Sequence, residues 1–124
     1  MRYMLLIYNE EKLAEQQREA MPEAEQERYM QAWFQYGDWL GGRGWMIAGD
    51  ALLPTTQATT LRLHDGERVV TDGPFAETKE QLGGYYLLDV ANLDDALEAA
   101  EKCPAAGYGT IELRPLMEFD VPSS

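Results

Sequence analysis

The chain has 124 residues, 45% of them hydrophobic, which is one domain's length with enough apolar content for a core and excludes both a disordered polymer and a pair of large domains. Ten Lys+Arg against 22 Asp+Glu give a formal net charge of −12, which opposes binding to nucleic-acid phosphates and to anionic membranes. A single cysteine, Cys103, and a single histidine, His64, exclude an intrachain disulfide and a Cys-based or multi-His metal centre within the chain, so no metal and no cofactor is expected.

The opening stretch Arg2 to Tyr8 is apolar on both alternating faces, as a central strand covered on both sides would be. It reaches Glu10 without a signal-peptide cleavage region, and no stretch approaches the ~18 apolar residues of a membrane span, so the expected compartment is the cytoplasm. Asn9 to Ala20 is polar and reads as a connection with room for a short helix. Pro22 opens a helix with Glu23 and Glu25 in its first turn. Met30, Trp33, Phe34, Gly37, Leu40 and Gly41 fall at helical spacing on its expected inner face, and Gly41-Gly42-Arg43-Gly44 ends it. Trp45 to Leu53 and Ala58 to His64 read as strands. Asp65-Gly66 is a two-residue hairpin signal leading into Glu67 to Thr71. Asp72-Gly73-Pro74-Phe75 is a loop by its Gly-Pro content, and Gly83-Gly84 precedes a strand from Tyr85 to Val90. Asn92 is the expected N-cap of a second helix, whose inner stripe is Leu93, Ala96, Leu97, Ala100 and Cys103, with Pro104 as its stop. Thr110 to Leu116 is the last strand, placed at an edge by Pro115. Val121-Pro122-Ser123-Ser124 reads as a frayed tail.

The order is strand, helix, strand, hairpin, strand, helix, strand. With the hairpin set aside, this is two β-α-β units, the ferredoxin-like pattern of an α+β domain. It predicts one antiparallel sheet with two helices on one face and an inserted β-hairpin. The other face would be bare yet carry large apolar residues such as Tyr85 or Tyr86, which predicts a homodimer with its sheets face to face.

The run Val70-Thr71-Asp72-Gly73-Pro74-Phe75-Ala76-Glu77-Thr78-Lys79-Glu80-Gln81-Leu82-Gly83-Gly84-Tyr85-Tyr86 resembles the signature of the DGPF-domain proteins of the YciI-like, or YCII-related, family. The opening Arg2-Tyr3-Met4-Leu5-Leu6-Ile7-Tyr8, the strand start Ala58-Thr59-Thr60 and the closing Glu112-Leu113-Arg114-Pro115 are similar to the same family. The resemblance spans residues 1 to about 118 as a single domain, which leaves 119–124 as a tail. It implies a ferredoxin-like subunit of the dimeric α/β-barrel type and no assigned chemistry. Related domains are sometimes encoded beside, or fused to, extracytoplasmic-function sigma factors, which implies a regulatory interaction module as one role. Some relatives carry a His-Asp pair proposed as catalytic, with the His in the first helix; this sequence has no His there, so Asp38 lacks its partner.

Four groups of residues can carry chemistry. Asp72 precedes a Gly-Pro pair that stiffens the loop, so it can present a carboxylate as a general acid/base or ligand acceptor; the structural alternative is an Asx-turn. Gly73, Pro74 and Phe75 would border a ligand with it, although Phe75 reads more readily as a plug in the core. Glu77 and Lys79 lie close enough in sequence to tune that carboxylate or bind a polar ligand, the alternative being a solvated surface. His64 could move a proton near neutrality. Arg62 and Arg114 lie in strands and would need either an internal carboxylate, such as Asp50, or an anionic ligand. Three functions remain open: binding of a small polar or anionic ligand at the Asp72–Phe75 loop, metal-independent acid/base catalysis by Asp72 with Glu77 or His64, and protein contact with a sigma factor. Trp33, Phe34, Trp39 and Trp45 read as core or dimer interface, and Cys103 as a buried, inert thiol.

Overall fold

A computed structural model describes residues 1–119; the Val121–Ser124 tail lies outside the described residues. The elements are β1 (Arg2–Asn9), α1 (Glu11–Ala20), α2 (Glu23–Gly42), β2 (Met46–Ala51), β3 (Thr59–His64), β4 (Glu67–Asp72), β5 (Gln81–Asp89), α3 (Leu93–Lys102) and β6 (Thr110–Pro115), with 3-10 turns at Thr55–Gln57 and Pro104–Gly107. Four strands form one sheet in the order β2-β5-β1-β6, with every neighbouring pair antiparallel. The units β1-α2-β2 and β5-α3-β6 each leave one strand's width between their strands, and each fills the other's gap. The protein is therefore α+β, and its strand order is consistent with the ferredoxin-like pattern. β3 and β4 form a separate two-stranded ribbon.

The two faces of β1 explain where the core sits. Tyr3, Leu5 and Ile7 are buried, while Met4, Leu6 and Tyr8 alternate with them on the other face and are half-buried. The first set meets Leu88 of β5, Tyr36 and Leu40 of α2, and Ala96 and Ala99 of α3; Val90, Cys103 and Ala105 complete the cluster. Tyr36 brings a hydroxyl into this apolar layer and donates it to the Ala99 carbonyl at 2.5 Å, which satisfies the polar group where water is absent and ties α2 to α3. Burial pushes this hydroxyl's pKa far up. At the start of α3, Asn92 is the N-cap, its side-chain oxygen accepting the Asp95 backbone N–H at 2.9 Å, as the sequence predicts.

Five expectations change. Residues 11–20 form a full helix, α1, yet bury none of their side chains, which is why they read as polar connection. On α2 the inward set is Tyr36 and Leu40, with Trp33 and Trp39 packed at its margins, whereas Met30 and Phe34 point outward, Phe34 with 69% exposure. The inward face is thus centred on Tyr36 and Leu40, four residues apart on one side of the helix, and the stripe is rotated away from Met30 and Phe34. On α3 the stripe is Ala96, Ala99 and Cys103, while Leu93 and Leu97 are exposed; small side chains let this helix sit close to the sheet, and the leucines flank the contact. β5 starts at Gln81, so Gly83 and Gly84 lie inside the strand rather than before it. A Cβ on Gly84 would come 3.2 Å from the Asp50 carbonyl oxygen, and the β1–β5 register shifts beside it, between Ile7 and Tyr8, the close approach and bulge that strand glycines mark. Finally, Phe75 is no core plug: it is 76% exposed.

Candidate functional site

The ribbon is built by its turn. Asp65 (φ 50°) and Gly66 (φ 82°) both adopt positive φ, the requirement of a two-residue turn whose twist suits a hairpin. His64 then faces Glu67, and Thr59 faces Asp72 at the far end. There the Gly73 N–H donates to the Ala58 carbonyl at 2.6 Å, and the Thr60 hydroxyl donates to the Gly73 carbonyl at 2.8 Å. Gly73 itself has φ 96°, which an L side chain adopts only with strain, so the residue following Asp72 must be glycine for the chain to leave the ribbon this way.

Beyond Gly73 the loop folds back on itself and onto α1. The Thr78 hydroxyl donates to the Glu80 carbonyl at 2.6 Å, and the Gln81 amide donates to the Thr78 carbonyl at 2.5 Å. The carbonyl of the same Gln81 side chain accepts the Glu11 backbone N–H at 3.0 Å, so one amide braces the loop against the first turn of α1. The Glu11 carboxylate in turn accepts from the Thr55 backbone N–H at 3.2 Å and from the Thr55 hydroxyl. Three segments are thereby tied together: the start of α1, the Thr55–Gln57 turn and the loop 72–81.

These segments enclose an open groove of about 880 Å³ whose lining includes Glu10, Lys12, Asp72, Pro74, Glu77 and Lys79. Lys79 approaches Glu10 to 4.0 Å. Among the described residues the Asp72 carboxylate accepts no hydrogen bond, so the Asx-turn alternative is absent, and Asp72 is an exposed residue of the groove's lining. Glu10, Glu11, Asp72 and Glu77 outnumber Lys12 and Lys79 in the lining, an electrostatic bias against a net anion. Among the described residues no group of three His, Cys, Asp or Glu side chains is placed to hold a metal ion.

The structure thus brings together Asp72, Gly73, Pro74, Glu77 and Lys79 and separates the other sequence-derived site residues from them. Phe75 points away and does not line the groove. His64 sits at the ribbon's tip, about 17 Å along the strand from Asp72 by the usual rise per residue, 3.4 Å from its neighbour Asp65 with both side chains exposed. Arg62 lies on the exposed ribbon and not on a covered face. Arg114 lies on β6 beside Glu112, at 3.6 Å. Asp50 pairs with neither arginine; it accepts the Tyr85 hydroxyl at 2.7 Å, which raises that hydroxyl's pKa. Sequence reasoning missed Glu11 and Gln81. Gln81 stood within the Glu-Thr-Lys-Glu-Gln-Leu run, but nothing local shows that its partner is seventy residues upstream.

With this geometry in hand, the comparisons with known proteins place the chain. The family model described as the YCII-related domain matches residues 1–120. The chain belongs to the YCII-related family. It is similar to an uncharacterised protein of Rhizobium meliloti, at 57% identity over 67 residues, covering 52% of this chain and 54% of that one. The match spans about half the length of that curated relative. Among the described residues no helix is long and apolar enough to cross a membrane.

Proposed function

We propose that this protein binds a small polar molecule in the groove edged by Asp72, Gly73 and Pro74. The observation that supports this reading is the bracing: side chains of Gln81 and Glu11 fix three separate chain segments around a space lined by Asp72, whose carboxylate has no hydrogen-bond partner among the described residues. A fixed acceptor beside Glu77 and Lys79 suits a ligand that carries hydrogen-bond donors. The excess of carboxylates favours such a ligand over the anionic one. A thermal-shift screen against a metabolite library tests the reading. A ligand at about 100 times its Kd adds about 2.7 kcal/mol, a shift of a few degrees for a domain of this size. Asp72→Asn should abolish the shift while leaving the unliganded Tm within a degree; a hit that survives the substitution unchanged refutes the site.

A second reading, acid/base catalysis without a metal, draws on one feature: Glu77 shares the groove with Asp72. It requires turnover of the bound compound with a pH–rate profile that changes in Asp72→Asn. Binding without turnover eliminates it.

The homodimer also belongs here. The sheet face away from the helices carries Met4, Leu6 and Tyr8 of β1, with Leu87 and Tyr85 of β5 opposite Met4 and Leu6, all half-buried. Two such faces in contact would give the dimeric α/β-barrel arrangement of ferredoxin-like subunits. Light scattering at micromolar concentration should report twice the chain mass; a particle of 14.0 kDa would sink the proposal.

A further inference from the structure

We propose that the β3–β4 ribbon is an arm that docks on a second copy of this chain. The inference rests on the homodimer proposed above and gives it a second contact, outside the sheet faces.

The ribbon packs along no other element among the described residues, and every residue of β4 is exposed. Yet it is not polar. Leu61 stands opposite Val70 on one face, with Leu63 beside them, and Val69 stands on the other. Their exposures are 55%, 51%, 70% and 45%. A two-stranded ribbon standing alone in water is marginal, because pairing two strands does not offset the ordering of their residues without burial of a face. This one therefore needs a cover that its own chain does not supply.

The surface area of the whole chain, ribbon included, fits a large and permanent assembly. The chain exposes 9235 Å², whereas a compact monomer of its mass exposes about 6,700 Å². The five residues after Phe119 account for at most about 700 Å² of the difference, the area an unfolded stretch of their mass would show. About 1,800 Å² remains in excess, more than the ~800 Å² each partner loses in a standard interface and within the range of obligate dimers. A chain folded to that excess is shaped to lose it in a permanent assembly, for which a second copy is always available.

Charge permits the same partner. Most of the molecule repels its own copy at a net −12, but the ribbon sets Arg62 and Arg68 against Asp65, Glu67 and Asp72 and is nearly neutral. Its arginines flank the apolar pairs, Arg68 facing Leu63 and Arg62 facing Val69, so they can meet acids of the other chain as the leucines are covered. Both feet of the ribbon adjoin the groove, through Thr55 and Thr56 before it and Asp72 and Gly73 at its end. An arm held by the partner would hold that edge of the groove as well.

The test is sedimentation velocity over a concentration series on the wild type, on Leu61→Thr/Leu63→Thr and on the open-face variant Leu87→Lys. Threonine keeps the strand preference, and the ribbon lies outside the core, so circular dichroism of the double variant should match the wild type. The expected result is a rise in the dimer's Kd on the order of 100-fold for the ribbon variant, with wild-type β3 and β4 amides protected from hydrogen exchange in the dimer and exposed on dilution. An unchanged Kd, or ribbon amides that exchange freely in the intact dimer, overturns the proposal. If Leu87→Lys dissociates the dimer and the ribbon variant does not, the sheet-face reading stands and the arm falls; the reverse pattern keeps the arm and removes the sheet faces. A wild type monomeric at all concentrations removes both.

Discussion

The helix-covered sheet and the β3–β4 ribbon are made from similar residues and end in opposite states. Both carry leucines on paired antiparallel strands. In the sheet, Leu5 and Leu88 are wholly buried because α2 and α3 lie across them; in the ribbon, Leu61 and Leu63 pair correctly and stay in water. Strand pattern and turn chemistry therefore specify pairing, whereas burial depends on whether a second layer arrives. The sheet carries its own second layer. The ribbon carries its turn and the loop that edges the groove.

The widest gap between the regions should appear on truncating one leucine in each. Leu40, wholly buried on the sheet-facing side of α2, should cost about 2–5 kcal/mol as Leu40→Ala, the transfer of its side chain plus the cavity left behind. Leu61→Ala, in urea melts at concentrations low enough to favour the monomer, should cost under about 1 kcal/mol. Equal losses would mean that the ribbon folds as part of the core, and the contrast would fail.

The next largest effect is a pH dependence that begins in the core. Burial pushes the Cys103 thiol from its usual 9.0 up to about 11. The folded state thus keeps a proton that the unfolded chain gives up. Its contribution is fully present below about pH 9 and is lost as pH rises from about 9 to about 11, a decline on the order of 2 kcal/mol. The Tyr36 and Tyr86 hydroxyls, raised mainly by burial, act with the same sign at higher pH. Urea midpoints measured from pH 8 to pH 11 should fall, and Cys103→Ala should flatten the early part of that fall. A slope unchanged in Cys103→Ala would assign it to the tyrosines instead.

These two regions were also unequally legible in the sequence. The turn at Asp65-Gly66, the Asn92 cap and the alternation of β1 are local signals, set by φ preferences, a single side-chain hydrogen bond and a period of two, and each corresponds to a structural feature. The inner stripes of α2 and α3 were legible only in part. A helical period places Met30 with Trp33 and Leu93 with Ala96, but which of them faces the sheet depends on the gap between helix and sheet. That gap is set by Tyr36 from one side and by Ala96 and Ala99 from the other. Of the site, the Asp72–Lys79 segment was visible through its glycine, its proline and the run that resembles the family. The α1 side of the groove was not, because Glu11 and Gln81 acquire their roles from contacts across most of the chain. Phe75 misled for a related reason: an aromatic residue in a loop is usually buried, and here the loop packs on α1 by polar bridges and leaves the ring outside.

Two smaller effects sharpen the contrast by testing local signals on each side of it. Asn92→Ala removes the acceptor for the Asp95 N–H and should cost about 1 kcal/mol of global stability, read as a drop in Tm of a few degrees, since α3 is part of the core. A loss below about 0.3 kcal/mol would mean water replaces the cap at no cost.

Gly66→Ala should do less globally, even though its backbone consequence is similar. At φ 82°, with nothing within 4 Å of where a Cβ would stand, the substitution meets no clash and only conformational strain, about 1 kcal/mol. That strain falls on the turn of a ribbon whose opening does not require the core to open, so it should raise the exchange rates of the β3 and β4 amides about fivefold at fixed protein concentration. Amides of β1 and β5 should keep their rates. If the β1 amides accelerated in step with those of β3, the ribbon and the sheet would be one cooperative unit, and the distinction between a self-covered layer and a partner-dependent one would no longer describe this molecule.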